Sequence, residues 1–520
     1  MARHFNTAGP CRPDIHYMIP PARRLPDVRW LIDQEGYFAV HAPRQVGKTT
    51  ALMALARDLT DEGRYASALV SMEAGAAFST DTGAAESAIL AGWRRATHFQ
   101  LPESLQPPSW PPAEAGGRLG AALEAWARAC PRPLVLFLDE IDALEDGILI
   151  SVLRQLRDGH RNRPAAFPLA IALVGLRDVR DYKVGVNGRH RLQTASPFNI
   201  EVRSLTLRDF TADEVIELYT QHTTDTGQVF TPEATAFAFA QTQGQPWLVN
   251  MLASIATEEL VNDRSTAITQ EHLQHARSLM VTRQDTHFDS LAERLREPRV
   301  RAIVEPMLAG ESMSAMPEDD VRFCLDLGLV RMSPTGGLTM ANPIYAELVP
   351  KALAVVPRAS LPMTQAVWRR PDGTLDEEKL LGAFEAFWRR HGQPLMGAAP
   401  YHEVAPHLVL LAFLDRVANG GGRVEREYAI GSRRMDISLE YGPADKRSTV
   451  GMEVKVWRDR RKDPLAEGLE QLDMYLAGLG LDHGCLFIFD RRSGLDDIED
   501  RTSLHDATTP AGRRVKVLRG

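Results

Sequence analysis

The run Tyr37-Phe38-Ala39-Val40-His41-Ala42-Pro43-Arg44-Gln45-Val46-Gly47-Lys48-Thr49-Thr50, continued by ALMALARDL to Leu59, decides the fold. YFAV is a short apolar run of the kind that forms a buried strand, and ALMALARDL carries a helical apolar period. The loop between them, Ala42 to Thr49, fits the pattern GxxxxGK[ST], with Ala42 in place of the first glycine. The pattern has a physical reason. Gly47 lets backbone N–H groups approach an anion, and the following helix N-terminus adds partial positive charge. Lys48 reaches the outer phosphates and the Thr49 hydroxyl is a ligand for Mg²⁺. Residues Pro43, Arg44, Gln45, Val46, Gly47, Lys48, Thr49 and Thr50 are therefore read as the cradle for ATP–Mg²⁺.

Working outward, ASALVSM, PLVLFLDE and LAIALVGL are further apolar runs separated by helical stretches up to Glu201. Continuous apolar strands alternating with helices predict an α/β fold with a parallel sheet covered on both faces. The run Leu134–Glu140 ends in Asp139-Glu140. In that position Asp139 holds Mg²⁺ and Glu140 orients the attacking water, so hydrolysis is expected rather than binding alone. SLQPPSWPPAEAGG, from Ser104 to Gly117, is a proline-rich insertion read as a loop between helices. Residues 207–280 read as helices, two of them opened by Thr with an acidic neighbour as cap. GLVRMSPTGGLTMANP then reads as strand, Gly-Gly turn and strand.

The order of these elements resembles an AAA-like ATPase of the archaeal-ATPase and STAND type, over roughly residues 4–353. The resemblance implies a helical lid and a winged helix after the ATPase core. It implies that Arg177, after the LAIALVGL run, is a sensor of the γ-phosphate, although a surface arginine fits there too. It implies that Pro246, in Gln243-Gly244-Gln245-Pro246-Trp247, packs near the adenine, although an ordinary helix–helix turn fits as well. Arg189 and Arg191 fit trans-acting fingers if the chain forms a homo-oligomer, or plain solvated arginines.

The C-terminal region carries a second constellation. In GMEVKV, Met452, Val454 and Val456 alternate with Glu453 and Lys455, and period two puts the charged pair on one face. Asp436 sits in an earlier strand, MDISLEY. Two carboxylates bind one or two Mg²⁺ or Mn²⁺ ions through hard oxygen ligands, and the metal activates water. Asp…Glu-x-Lys followed by Gly468-x-x-Gln471-x-x-x-Tyr475 resembles the PD-(D/E)XK nucleases of RecB type, over about residues 379–492. The resemblance implies Asp436, Glu453, Lys455 and Gln471 as catalytic residues, Glu403 as a further metal ligand, and DNA as substrate. Met435 stands where the family often has Pro. Arg423, Arg426, Arg433 and Arg434, with Arg458, Arg460, Arg461 and Lys462, fit phosphate-backbone contacts or solvated loops.

The whole chain therefore reads as five parts: an ATPase core at 1–205, a lid at 206–285, a winged helix at 286–356, a linker at 357–378 and a restriction-endonuclease-like α/β domain at 379–520. The 520 residues exceed the ~150-residue modal domain several-fold, which agrees with several domains. A 44% hydrophobic and 25% charged composition excludes whole-chain disorder. The formal net charge of −8 carries no sign of nucleic acid, because a sum over domains hides local basic segments. Cys11, Cys130, Cys324 and Cys485 lie far apart, so neither a disulfide framework nor a zinc site is expected. No signal peptide or membrane span is expected, and a cytoplasmic location fits. The leading expectation is an ATP-driven switch or motor coupled to DNA cleavage, with a role against phage or mobile DNA by analogy and a protein trigger left open. The competing expectation is a nucleotide-gated STAND-like scaffold whose C-terminal domain binds DNA or a partner without cutting.

Overall fold

Strand β1 (Tyr37–His41) alternates between two cores, and this shows how the first domain is layered. Tyr37 and Ala39 pack into one apolar cluster, Phe38 and Val40 into another. Strands β2 (Ala66–Ser71), β3 (Leu134–Asp139), β4 (Ala170–Gly175) and β5 (Glu201–Thr206) complete the sheet in the order β2-β3-β4-β1-β5. Every neighbouring pair is parallel. These relations come from a computed structural model that describes residues 3–144, 146–176, 201–283, 291, 293–308, 317–333, 336–353, 366–398, 405–418, 422–429, 434–443 and 445–520. The chain divides into two compact units, Met1–Arg283 with Leu325–Leu329, and Gln284–Cys324 with Val330–Gly520.

In the first unit, α1 (Val28–Asp33) and α2 (Lys48–Asp61) cover one face of the sheet. Leu52, Leu55, Ala56 and Leu59 of α2 join the cluster of Phe38 and Val40. The other face takes α3 (Thr82–Gln100), α4 (Arg118–Ala129) and α5 (Asp146–Gly159), with Trp93 and Trp126 fully enclosed. Each fully buried large apolar side chain contributes about 1.5–3 kcal/mol, so two apolar faces are what hold a parallel sheet together. The proline-rich insertion lies between α3 and α4. It is anchored by Trp110, whose indole donates to the Leu90 carbonyl at 3.1 Å.

The helices α6 (Ala212–Thr226), α7 (Pro232–Thr242), α8 (Pro246–Ser254) and α9 (Gln270–Arg283) follow. Thr211 closes a reciprocal capping box with Glu214, and Thr231 accepts from the Ala234 amide ahead of Pro232. The N-terminal lead-in, residues 3–30, is rich in Pro and Arg yet holds buried rings. Phe5 and Tyr17 are buried, and Phe5 packs edge-on against Tyr219 of α6 at 5.6 Å between ring centroids.

The second unit holds α10 (Pro298–Leu308) and the greater part of α11 (Glu318–Asp326). An antiparallel ribbon of β6 (Val330–Met332) and β7 (Leu338–Met340) follows, then α12 (Pro343–Leu353). In the stretch expected to be a linker, Trp368 is buried and its ring lies 5.8 Å from that of Phe413. Helices α13 (Glu377–Ala398) and α14 (Ala405–Ala418) lead into a six-stranded sheet ordered β12-β13-β11-β10-β9-β8. Its strands are β8 (Gly422–Ala429), β9 (Arg434–Tyr441), β10 (Ser448–Trp457), β11 (His483–Asp490), β12 (Ser503–Thr508) and β13 (Arg514–Arg519). Strands β8, β9 and β10 form an antiparallel meander, whereas β11 is parallel to both β10 and β13. The crossover from β10 to β11 is α15 (Leu465–Leu479). Among the described residues no helix is long and apolar enough to cross a membrane.

Candidate active sites

The loop after β1 turns on two left-handed residues, Gln45 at φ +59° and Gly47 at φ +86°. Such positions turn successive backbone N–H groups toward one point, which is how a backbone nest for an anion is made. Gly47 is the N-cap of α2, so the positive end of that helix faces the same point. Val46 is buried, whereas Arg44 and Gln45 are exposed and Pro43 is intermediate. The Lys48 ammonium donates to the carbonyls of Ala42 at 2.5 Å and Pro43 at 2.8 Å. Burial pulls its pKa down to about 8, against the nearby Asp139 and Asp142 carboxylates, which raise it.

The Thr49 hydroxyl donates to Asp139 Oδ2 at 3.1 Å. This pair joins the loop to the end of β3, as the two motifs in the sequence require. Burial raises the pKa of Asp139, and the Thr49 hydrogen bond works against that rise. A hydroxyl and a carboxylate at this separation are hard oxygen donors, and they fit Mg²⁺. Glu140 has φ +58°, and its carboxylate accepts from the Ser71 hydroxyl at 2.8 Å. Loss of water raises its pKa first, Ser71 lowers it, and Glu73 and Asp142 add to the rise.

Some groups here carry no motif of their own. The Arg24 guanidinium is buried. It donates to the Val46 carbonyl at 2.9 Å and the Arg208 carbonyl at 2.8 Å, and lies 4.9 Å over the Phe210 ring. Thr50 accepts from the Cys11 amide at 2.9 Å, and the Trp247 indole donates to the Thr7 carbonyl at 2.8 Å. Residues 7–11 thus run from α8 to the start of α2. Pro246 is buried at the first turn of α8, where Gln245 caps the Leu248 amide at 2.6 Å. Gly244 precedes it at φ +81°. A Cβ there would stand 1.9 Å from the Phe210 carbonyl oxygen, so only glycine fits. Arg177, Arg189 and Arg191 lie outside the described residues.

The second constellation centres on β10. Glu453 is 0% exposed and its carboxylate lies 2.6 Å from the Lys455 ammonium. Lys455 also donates to Gln471 Oε1 on α15, and Gln471 donates to Glu467 at 3.2 Å. In the ladder Asp436 of β9 is the direct partner of Glu453, so the two backbone positions face each other. Alternation along GMEVKV predicts one polar face, yet Val450–Val454 is buried throughout. Helix α15 covers the charged face: a Cβ on Gly451 would come within 2.7 Å of Leu476, and Gly468 is a second close approach. A Cβ at that position would come within 2.8 Å of Leu486 and 3.4 Å of the Lys455 side chain. The missing side chain lets α15 settle onto β10 and β11 and brings Gln471 to Lys455. Tyr475 does not line a cleft beside Gln471. It is buried in the apolar cluster with Leu472, Leu476 and Ile488. Glu403 lies outside the described residues. Of the basic segment, Arg460, Arg461 and Lys462 are exposed. Trp457, at the end of β10, carries the Arg492 guanidinium 3.5 Å over its ring. Glu453 supplies hard carboxylate oxygens of the kind a divalent cation takes, whereas Lys455 is itself a cation and supplies none; among the described residues no group of three or more acidic, histidine or cysteine side chains gathers here.

A five-stranded parallel sheet, a lysine-bearing loop capping a helix, and a threonine bonded to the acid at the end of a neighbouring strand define a P-loop NTPase-type unit. Among solved structures the chain is similar to a Walker-type ATPase of Pyrococcus abyssi, with 12% identity and a TM-score of 0.45, over 66% of this chain and 99% of that one. It is also similar to the RuvB Holliday junction branch migration motor of Thermotoga maritima, with 14% identity and a TM-score of 0.34, over 63% of this chain and 92% of that one. No family model and no curated protein matches the chain.

Proposed function

We propose that this chain is an ATP-hydrolysing switch or motor coupled to metal-dependent cleavage of DNA. The observation that carries the first half is the Thr49–Asp139 hydrogen bond beside the Lys48 loop. ATP–Mg²⁺ supplies a transferable phosphoryl group there. Lys48 neutralises charge on the outer phosphates, Thr49 and Asp139 hold the cation, and Glu140 orients water from its bond to Ser71. The second half is supported by Glu453 and Lys455 at 2.6 Å on a strand whose neighbour places Asp436 opposite. A divalent metal supplies activated water there. Glu453 and Asp436 would hold it, while Lys455, oriented by Gln471, neutralises the phosphate.

One observation favours the scaffold reading. A fully buried Glu453 paired with Lys455, which also bonds Gln471 of α15, serves equally as an internal polar network that ties α15 to β10, with no reaction at all. Purified protein incubated with plasmid DNA, Mg²⁺ or Mn²⁺, and ATP, ADP or neither separates the two. Metal-dependent degradation that Asp436→Ala removes supports the nuclease. Intact plasmid under all conditions, with ATP turnover retained, supports the scaffold.

A further inference from the structure

Far along the sequence from both sites, helix α3 ends in a feature that neither reaction uses. Its last turns carry Arg94, Arg95, His98 and Phe99, and across from them run Gln106 to Ser109 of the proline-rich insertion. Together they line a pocket of about 540 Å³. Phe99 is 87% exposed, far more than the other large apolar side chains on the described surface. No Asp or Glu is among the described residues that line the pocket, whereas two arginines are. The wall is preformed: Arg94 donates to the Pro108 carbonyl at 3.2 Å and lies 5.4 Å over the Trp110 ring. Trp110 is itself fixed by its bond to Leu90.

We infer that this pocket binds single-stranded nucleic acid, one base stacking on Phe99 while Arg94 and Arg95 take the flanking phosphates. Two arguments lead there. An aromatic platform beside guanidinium groups, here one fixed (Arg94) and one lining the pocket (Arg95), is the chemistry that holds a base and its phosphate without reading sequence. The exposure of Phe99 also decides the form of the ligand. Small-molecule pockets enclose about 70–90% of their ligand, and an open ring cannot do so. A strand that continues past the pocket supplies the missing contacts. The site stands apart from the cutting reaction: it concerns capture of a strand by the ATPase unit, whether or not the C-terminal domain cuts.

The test is fluorescence anisotropy of a labelled oligothymidylate with the full chain in EDTA, which prevents cleavage. Phe99→Ala is safe for folding because the ring is so exposed. It should weaken binding at least about fivefold. Arg95→Ala should lower the slope of log affinity against log salt by about 0.7, one phosphate contact on a single strand. Crosslinking of a 5-iodouracil oligonucleotide should label the tryptic peptide from Ala96 to Arg118. The inference is overturned by unchanged affinity in Phe99→Ala, by crosslinks confined to other peptides, or by polyglutamate displacing the oligonucleotide as well as unlabelled strand does. It is also overturned if a free mononucleotide protects Phe99 equally well. Failure of the nuclease reading shows elsewhere, as absence of metal-dependent cutting by the unsubstituted chain.

Discussion

In the proposed function Lys48 and Lys455 would each neutralise phosphate charge, and they sit in two unlike surroundings. Lys48 is held by carbonyls of its own loop, six and five residues earlier in the chain. Lys455 is held by Glu453 on its own strand and by Gln471, sixteen residues later on a helix. The first arrangement is local and is made as soon as the strand-loop-helix unit forms. The second exists only after a meander, a crossover helix and a glycine contact have come together. A local site is fixed by a short motif, whereas a non-local one is fixed by packing that the motif does not contain.

The comparison breaks at once if the two lysines are not independent. Lys48→Ala should lower ATP turnover by about 10²–10³-fold, the size of losing a principal charge-stabilising donor. Phosphate release measures it, and metal-dependent cleavage in the absence of nucleotide should stay. Lys455→Ala should do the reverse, ending cleavage while ATP turnover is kept. Next in size is Gly244→Ala in the first unit. Its Cβ meets a backbone oxygen at 1.9 Å from a left-handed residue, so a loss of about 3 kcal/mol or more is expected in denaturant unfolding. Gly468→Ala in the second unit meets only the end of a leucine side chain at 2.8 Å, and should cost about 1–3 kcal/mol. Its sharper signature is weakened cleavage with ATP turnover intact, because relief of the Leu486 contact moves α15, which carries Gln471 to Lys455.

A titration tests the same contrast. Burial lowers the Lys48 pKa from 10.5 to about 8. Between those values the unfolded chain holds a proton that the folded chain has released, so stability rises with pH across that window. Below about pH 8 the burial cost of the charged amine is present in full. Lys48→Met should flatten this rise. ATP affinity should run the other way and weaken above about pH 8, since the phosphates require the charged form; calorimetric titration at pH 7 and 9 checks it. The smallest effect is at the lid. Thr211→Ala opens the capping box with Glu214 and should cost about 1 kcal/mol, read as a lower melting temperature.

These contrasts explain what was legible in the sequence. Strands β1 to β4 are continuous apolar runs because both faces are covered, and the lysine loop declares itself between one of them and a helix. Strands β8 to β11 could also be read. Strands β12 and β13 could not, because SLHDAT and RVKVLR carry no apolar run and find their place only by pairing with each other and with β11. Gln471 was singled out by the resemblance of Gly468-x-x-Gln471-x-x-x-Tyr475 to a nuclease motif. Tyr475 of the same motif lies in the apolar cluster, because helix geometry says which residues are neighbours but not which of them face the core. Arg24, Ser71 and the lead-in from Thr7 to Cys11 had no signal, since their partners (two carbonyls, a carboxylate, an indole and a hydroxyl) lie far away in sequence.

That lead-in has a consequence for the order in which the protein is made. Thr7 leaves the ribosome before the Trp247 indole that bonds its carbonyl, which is synthesised 240 residues later. Chains grow from the N-terminus and domains fold as they emerge. The sheet and lysine loop can therefore form while the lead-in waits unseated. Only once α8 is made are Thr50 and α8 joined through it. The phosphate loop can thus form early, and the segment that joins Thr50 to α8 is seated late.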